Sequence, residues 1–383
     1  MSHSFGDSLQ VLRIAILLCF LPALLYRIWR LWRYPTSVPA VAATGFAVFV
    51  WLWLVAFTDW AWSAMPPVIR AISAGGWWIV ALAGCLQVFV VGIRGDASAA
   101  RIRRGLRITF VVTAIISAVV AVAASQSELL LTTRNLPAVI DALLDGADPA
   151  STGALVVSSG FAAVVFAQLS WVGMRHADRT PVGTGLGLLA TASFFQLIAT
   201  VCGGIWRPLV HGVGFMGSRY GLWIQTWPAC VAALLMFIGF VWPPVVLNVQ
   251  ARSDVRRLQP FHDALGQLFP KLFPPEDQRV RLSDLVFEWR THIQDGLTVL
   301  AQHRQTPMHT EVELPLSKAD RAAQIADWLV GELVPGFSCE WLRSPDGVSD
   351  QDWVLAIADA YRERQDGFAA PASLSGMPST LRR

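Results

Sequence analysis

Apolar residues dominate seven stretches of this chain, at about 9–29, 39–58, 74–93, 106–125, 153–174, 182–204 and 223–247, and the pattern ends near Val249. Each stretch is long enough to cross a bilayer as a helix, which takes about 20 residues. Beyond Val249 the apolar positions take the 3.6-residue period of amphipathic helices. The strongest predicted helix covers 281–303, with Leu285, Val286, Trp289, Ile293, Leu297 and Leu300 on one face. The pattern is helical from Ser253 onward, and Pro260 to Phe269 is amphipathic, closed by Pro270. Ser317 with Asp320 makes a capping box for a helix to about Val334, and Ser349 with Asp352 opens another that ends near Gly367. The expected fold is all-α: a seven-helix transmembrane bundle over 1–249, a small cytoplasmic helical domain over 250–368, and a disordered Pro/Ser/Gly tail over 369–383.

Arginine placement orients the spans. One set of loops carries Arg27, Arg30, Arg33, Arg94, Arg101, Arg103, Arg104, Arg107, Arg175 and Arg179, continued by Arg252, Arg256 and Arg257 after the last span. The opposite loops hold only Arg70, Arg134, Arg207 and Arg219. The positive side is cytoplasmic. The expected topology is therefore a multi-pass plasma-membrane protein with its N-terminus outside and its C-terminus in the cytoplasm, which requires an odd number of spans. Trp60, Trp62, Trp77, Trp78, Trp206 and Trp223 at outer ends, and Trp29, Trp32, Trp171 and Trp242 at inner ends, agree with this. The N-terminus lacks a basic region and a cleavage site, so the first span is expected to be a permanent anchor.

Composition narrows the function classes. The chain has 383 residues, of which 54% are hydrophobic and only 15% charged, with a mean hydropathy of +0.48. The expected partner over most of its surface is the lipid bilayer. A net charge of +3 is too small to imply direct nucleic-acid binding. Cys19, Cys85, Cys202, Cys230 and Cys339 show no CxxC or Cys/His spacing, so neither a disulfide framework nor a zinc site is expected. No Walker A, kinase, GxSxG or HExxH pattern occurs, so no catalytic residue, cofactor or metal is expected and the chain does not read as an enzyme. No span carries an acid near its centre, and the mid-span polar residues are Gln87, Gln168, Gln196 and Thr200, which suit hydrogen bonds between helices. Gly183, Gly187 and Thr191 at four-residue spacing, repeated further on by Ala199 and Gly203, predict a helix-packing face.

Two places hold candidate binding chemistry. In the loop of 126–152, Leu136, Val139, Ile140, Leu143 and Leu144 predict a short amphipathic helix, opened by Asn135 and ended by Gly146. In the next outer loop, the GxGxxG of residues 212–217 lacks the strand–helix context of a dinucleotide site. Arg207, His211, Arg219 and Tyr220 of that loop are candidate contacts for an anionic ligand or for lipid headgroups. In the C-terminal domain, Asp284, Glu288, His292 and Asp295 share one helix face, and Glu288, His292 and Asp295 are the candidate docking face for a cytoplasmic regulatory protein or a second copy of the chain.

Asp254, Leu258 and Phe261 before Leu268-Phe269-Pro270, followed by Arg290 through Ile293 to Asp295-Gly296-Leu297 and Leu300, carry a resemblance. The pattern resembles a family of actinobacterial multi-pass membrane proteins with a C-terminal cytoplasmic domain of unknown function, commonly labelled transporters. Where that family usually has Glu-Ile-Arg-Asp-Gly, this chain has His292-Ile293-Gln294-Asp295-Gly296. The resemblance implies the same architecture and no particular chemistry. Two functions follow as expectations. One is a membrane sensor or regulator that couples the bundle to a cytoplasmic interaction domain. The other is a transporter of a small molecule.

Overall fold

The structure, a computed structural model, describes residues 2–33, 37–93, 98–211, 213–273, 282–309, 312, 314–315 and 317–369. Regular structure among the described residues is helical throughout, with no strand. The expected tail beyond residue 369 lies outside them. The chain divides into two compact units, Met1–Pro243 and Pro244–Arg383.

The first unit begins with α1 (Ser2–Arg33) and α2 (Val38–Ala56). Two short helices follow, α3 (Asp59–Ala64) and α4 (Pro67–Ala74), and then α5 (Trp77–Ile93) and α6 (Ala99–Ser125). A further short pair, α7 (Glu128–Thr132) and α8 (Leu136–Leu144), precedes α9 (Pro149–Arg175) and α10 (Pro181–Thr200). A π-helical segment, Val201–Trp206, carries α10 directly into α11 (Arg207–Leu209). A 3₁₀ turn at Gly214–Gly217 leads to α12 (Arg219–Leu268), which runs for 50 residues.

Five helices are long and apolar enough to cross a membrane: α2, α6, α9, the continuous run Pro181–Leu209, and α12. A sixth is counted if α4 and α5, bent by 52° at Gly75 and Gly76, make one broken span. The helix α1, which contains the first expected span, is 32 residues long and stands outside that set. Only 11–39% of each span's apolar window is buried, so most of this apolar surface must meet something other than water. Phe110, Ile115 and Val122 on α6 and Val164 and Trp171 on α9 point outward, while α9 buries Ala154, Ser158, Ser159 and Ala162. Large residues outside and small residues inside are what a lipid solvent favours, because close backbone packing holds the helices together there.

One close backbone approach between spans falls beside the expected stripe. Gly183 faces Asp178 of its own preceding loop, and Thr191 is exposed. Gly185 instead meets Gly239 of α12: a Cβ on either would lie 3.1 Å from the other's carbonyl oxygen. Arg27 Nε donates to Thr44 Oγ1 and Trp51 Nε1 donates to the Leu17 carbonyl, which ties α1 to α2.

The second unit holds the end of α12, then α13 (Leu282–His303), α14 (Lys318–Val330), a 3₁₀ turn at Cys339–Leu342 and α15 (Asp350–Ala369). Its core combines Leu258, Phe261 and Leu265 of α12, Val286, Trp289, Ile293, Leu297 and Leu300 of α13, Ile325 of α14, and Trp353 and Ile357 of α15. The apolar stripe read from the sequence is thus the buried one. The amphipathic segment expected from Pro260 forms the last part of α12, which ends at Leu268. Pro260 removes one N–H but does not break the helix, because Leu258, Phe261 and Leu265 around it are fully packed. The helix α14 stops at Val330 and not at Val334, because the amides of Gly331 and Glu332 turn back onto the carbonyls of Trp328 and Asp327. Ser317 caps its start by accepting from the Asp320 amide.

Candidate functional site

The short helices of the first unit gather at one end of the bundle and share a core. Trp62, Ala71, Leu130, Leu136, Val139, Leu143 and Ala154 form one buried cluster. The helix α8 is amphipathic as expected, and Val139 and Leu143 of its apolar face are buried there. Trp62 Nε1 donates to the Arg134 carbonyl at 2.9 Å. Arg70 is 3% exposed, lies 6.0 Å from the Trp62 ring centre and donates through Nη2 to the Leu131 carbonyl.

Arg207 is the chemical centre of this end. It follows the π-helical segment, a geometry that is rare and concentrates at functional sites. Ser159 of α9 and Gln225 of α12 press against the backbone of that segment at Gly204 and Gly203. Arg207 Nη2 donates to Asp145 Oδ1 at 2.9 Å. The arginine side chain is only 9% exposed, whereas that of Asp145 is 52% exposed. Its Nε and Nη1 are buried and have no hydrogen-bond partner among the described residues. A guanidinium carries five N–H donors, so the pair with one aspartate oxygen leaves most of them unused. Asp145 is held in place by the turn after α8. Gly146 has φ +64°, and a Cβ there would lie 2.2 Å from the Pro208 carbonyl oxygen. Only glycine permits both that backbone conformation and that approach. The chemical capacity of this arrangement is anion recognition: an oxyanion that replaced or joined Asp145 would meet charged N–H donors.

Of the four outer residues singled out in the sequence, three have described side chains, and of these the structure buries only Arg207. His211 is exposed, with φ +51°, and Tyr220 is 74% exposed. The side chain of Arg219 lies outside the described residues. Arg207, His211 and Tyr220 do not converge on one site. Asp145, which does meet Arg207, stands 62 residues away in the chain. Beside it, Asp148 caps α9 by accepting from the Ser151 amide at 2.9 Å. Burial raises the Asp148 carboxyl pKa, but bonds from the Ser127 hydroxyl and the Ser151 amide outweigh it and hold it below the usual range.

In the second unit, Asp295 is exposed and makes no ion pair among the described residues. Glu288 lies 4.0 Å from His292 Nε2. The His292 ring is only 20% exposed and packs 5.5 Å from Phe273 and 6.1 Å from His262, whose ring stacks on Trp289 at 4.4 Å. The expected docking face is thus one free carboxylate beside an aromatic cluster. On the other side of α13, Arg290 bridges Asp254 at 2.8 Å and Gln351 at 3.0 Å. Arg257 pairs with Asp359, which holds its guanidinium above the usual pKa. No group of three His, Cys, Asp or Glu side chains is placed to hold a metal among the described residues. No protein-family model, curated protein or solved structure matches the chain.

Proposed function

We propose that this chain is a seven-span membrane sensor. It would take an extracytoplasmic anionic signal at the Arg207–Asp145 latch and report it through the C-terminal helical unit. In this reading α1 is the first span, α4 and α5 form the broken third, and the N-terminus lies outside. The arginine asymmetry of the loops supports that orientation, and the burial of Arg70 and Arg207 leaves still fewer free cations on the outer side. The actinobacterial multi-pass family fits the same architecture.

The observation that carries the proposal is Arg207 itself. It is a buried cation at one end of the bundle, with two nitrogens unpartnered and a half-exposed aspartate as its only ion-pair partner among the described residues. An ionisable group in such a position marks function more often than stability. The location favours sensing over transport, because carrier sites lie near the bilayer midplane. The helix α12 gives covalent continuity from the outer turn to the core of the second unit. Asp295 is then the docking carboxylate for a cytoplasmic partner or a second copy.

The test uses the full chain in sealed vesicles and releases the latch with Asp145→Asn. A sensor predicts altered amide hydrogen exchange in α13 and α15, with no solute accumulation inside the vesicles. Unchanged exchange across residues 282–369, or latch-dependent accumulation of a labelled anion mixture, would reject the reading in favour of a structural pair or a carrier.

A further inference from the structure

The first unit holds a groove of about 400 Å³ between α6 and α9, with α5 at its floor. Ile108 and Val112 form one wall, and Val157 and Val164 the other. All four are exposed on the surface of the unit, so the groove opens sideways, toward lipid in a membrane.

Its floor is not apolar. Gln87 of α5 donates through Nε2 to Gln168 Oε1 of α9 at 2.8 Å, and both residues line the groove. Gln87 Oε1 is buried without a partner, and the Gln168 amide N–H₂ has no acceptor among the described residues. Thr113 Oγ1 of α6 is also buried without a partner and lies against Gly84, three residues before Gln87 on α5. Hydrocarbon offers such groups nothing to bond with, so a polar floor under a lipid-facing groove is costly unless something polar enters it.

Depth decides what can enter. Gln168 precedes the last residue of α9, Arg175, by seven residues, which is about 10 Å of helix at ~1.5 Å per residue. The headgroups and ester groups of phospholipids lie at the boundary, so at the level of Gln168 a resident acyl chain presents only methylenes. We propose that the groove binds an uncharged, lipid-soluble molecule with a carbonyl or hydroxyl oxygen on a long chain. The oxygen accepts from the Gln168 amide, and the chain lies between Val112 and Val164. A volume of about 400 Å³ holds on the order of a dozen methylene-sized groups, taking the ~30 Å³ share of a water molecule in the liquid as the unit. The proposal is independent of the Arg207 latch.

The probe is a long-chain ketone with a diazirine on its alkyl chain, compared with the alkane of equal length and with a phosphatidylcholine carrying the same diazirine. The full chain is reconstituted in bilayers, irradiated and mapped by peptide. The ketone should label residues 108–116 and 157–168 at least about fivefold more than the alkane, as expected for one hydrogen bond. Gln168→Leu should erase that difference while alkane labelling persists, which shows that the groove is still formed. Val164→Trp, which fills the groove from the lipid side, should remove ketone labelling without touching the amides. Equal labelling by ketone and alkane, Gln168-dependent labelling by the phosphatidylcholine, or ketone labelling that survives Val164→Trp would overturn the assignment.

Discussion

Removing Asp145 should destabilise the first unit more than removing the arginine it holds. Arg207 is buried with two nitrogens already unpartnered, and Asp145 is its ion-pair partner. Deleting one member of a fully buried pair costs about 3–5 kcal/mol, because the other charge is left uncompensated. Exposed pairs contribute about 0–1 kcal/mol. The Asp145 side chain is 52% exposed, so solvent screens part of the interaction, and Asp145→Ala should cost about 2 kcal/mol. Arg207→Met keeps much of the apolar stem and removes the buried cation. It should change stability by less than about 1 kcal/mol in either direction. The double variant should then recover most of the Asp145→Ala loss. The assay is reversible unfolding of the full chain in mixed micelles, followed by loss of helical signal, with the four proteins forming a double-mutant cycle. Equal losses from the two single variants would refute the reasoning, as would a neutral Asp145→Ala. Either result would mean that the guanidinium finds water or another partner and is not a poised donor.

Trp289→Ala should destabilise the second unit by about 3–5 kcal/mol, since the ring is 5% exposed and stacked on His262; limited proteolysis of the full chain within 282–369 would report it. Gly185→Leu should cost more than about 1–3 kcal/mol, because even a Cβ there would lie 2.6 Å from Pro243; the readout is the yield of folded protein after detergent extraction. The Asp148 carboxyl has its pKa below the ordinary value in the folded chain. Its contribution is therefore present above the unfolded pKa and is lost as pH falls through the lower folded one. Amide protection at the start of α9 should survive passage through the normal carboxylate range and fail only in stronger acid, while Asp148→Ala should remove about 1 kcal/mol at neutral pH. Asp295→Ala should leave membrane insertion unchanged and reduce recovery of a cytoplasmic or homomeric partner in pull-downs; equal recovery would assign the carboxylate no docking role.

The long apolar runs and the stripe on α13 were legible in the sequence because each is set by local composition and a single period. Trp289, Ile293 and Leu297 repeat at helical spacing, and that face is the buried one. The α8 helix was legible for the same reason. Elements that depend on distant neighbours were not. The short helices α3 and α4 are held by Trp62 and Arg70 against carbonyls of residues 134 and 131, and nothing local announces those partners. The π-helical segment packs its glycines against Ser159 of α9 and Gln225 of α12, distant neighbours that local composition does not encode. The sequence groups Arg207 with His211, Arg219 and Tyr220 as one outer-loop contact set, but His211 and Tyr220 are exposed, and the ion-pair partner of Arg207 is Asp145. His292 looked like a surface residue by spacing, yet His262 of α12 and Phe273 just beyond that helix cover much of it.

The account stands on the latch and the C-terminal unit lying on opposite sides of the membrane. Alkaline phosphatase, active only outside the cytoplasm, tests this when fused within residues 126–152 or at the C-terminus of otherwise intact chains. The account predicts activity from the 126–152 fusion and none from the C-terminal one. Activity at the C-terminus with silence at 126–152, or the same result from both positions, would contradict a sensor that receives at Arg207 and reports in the cytoplasm.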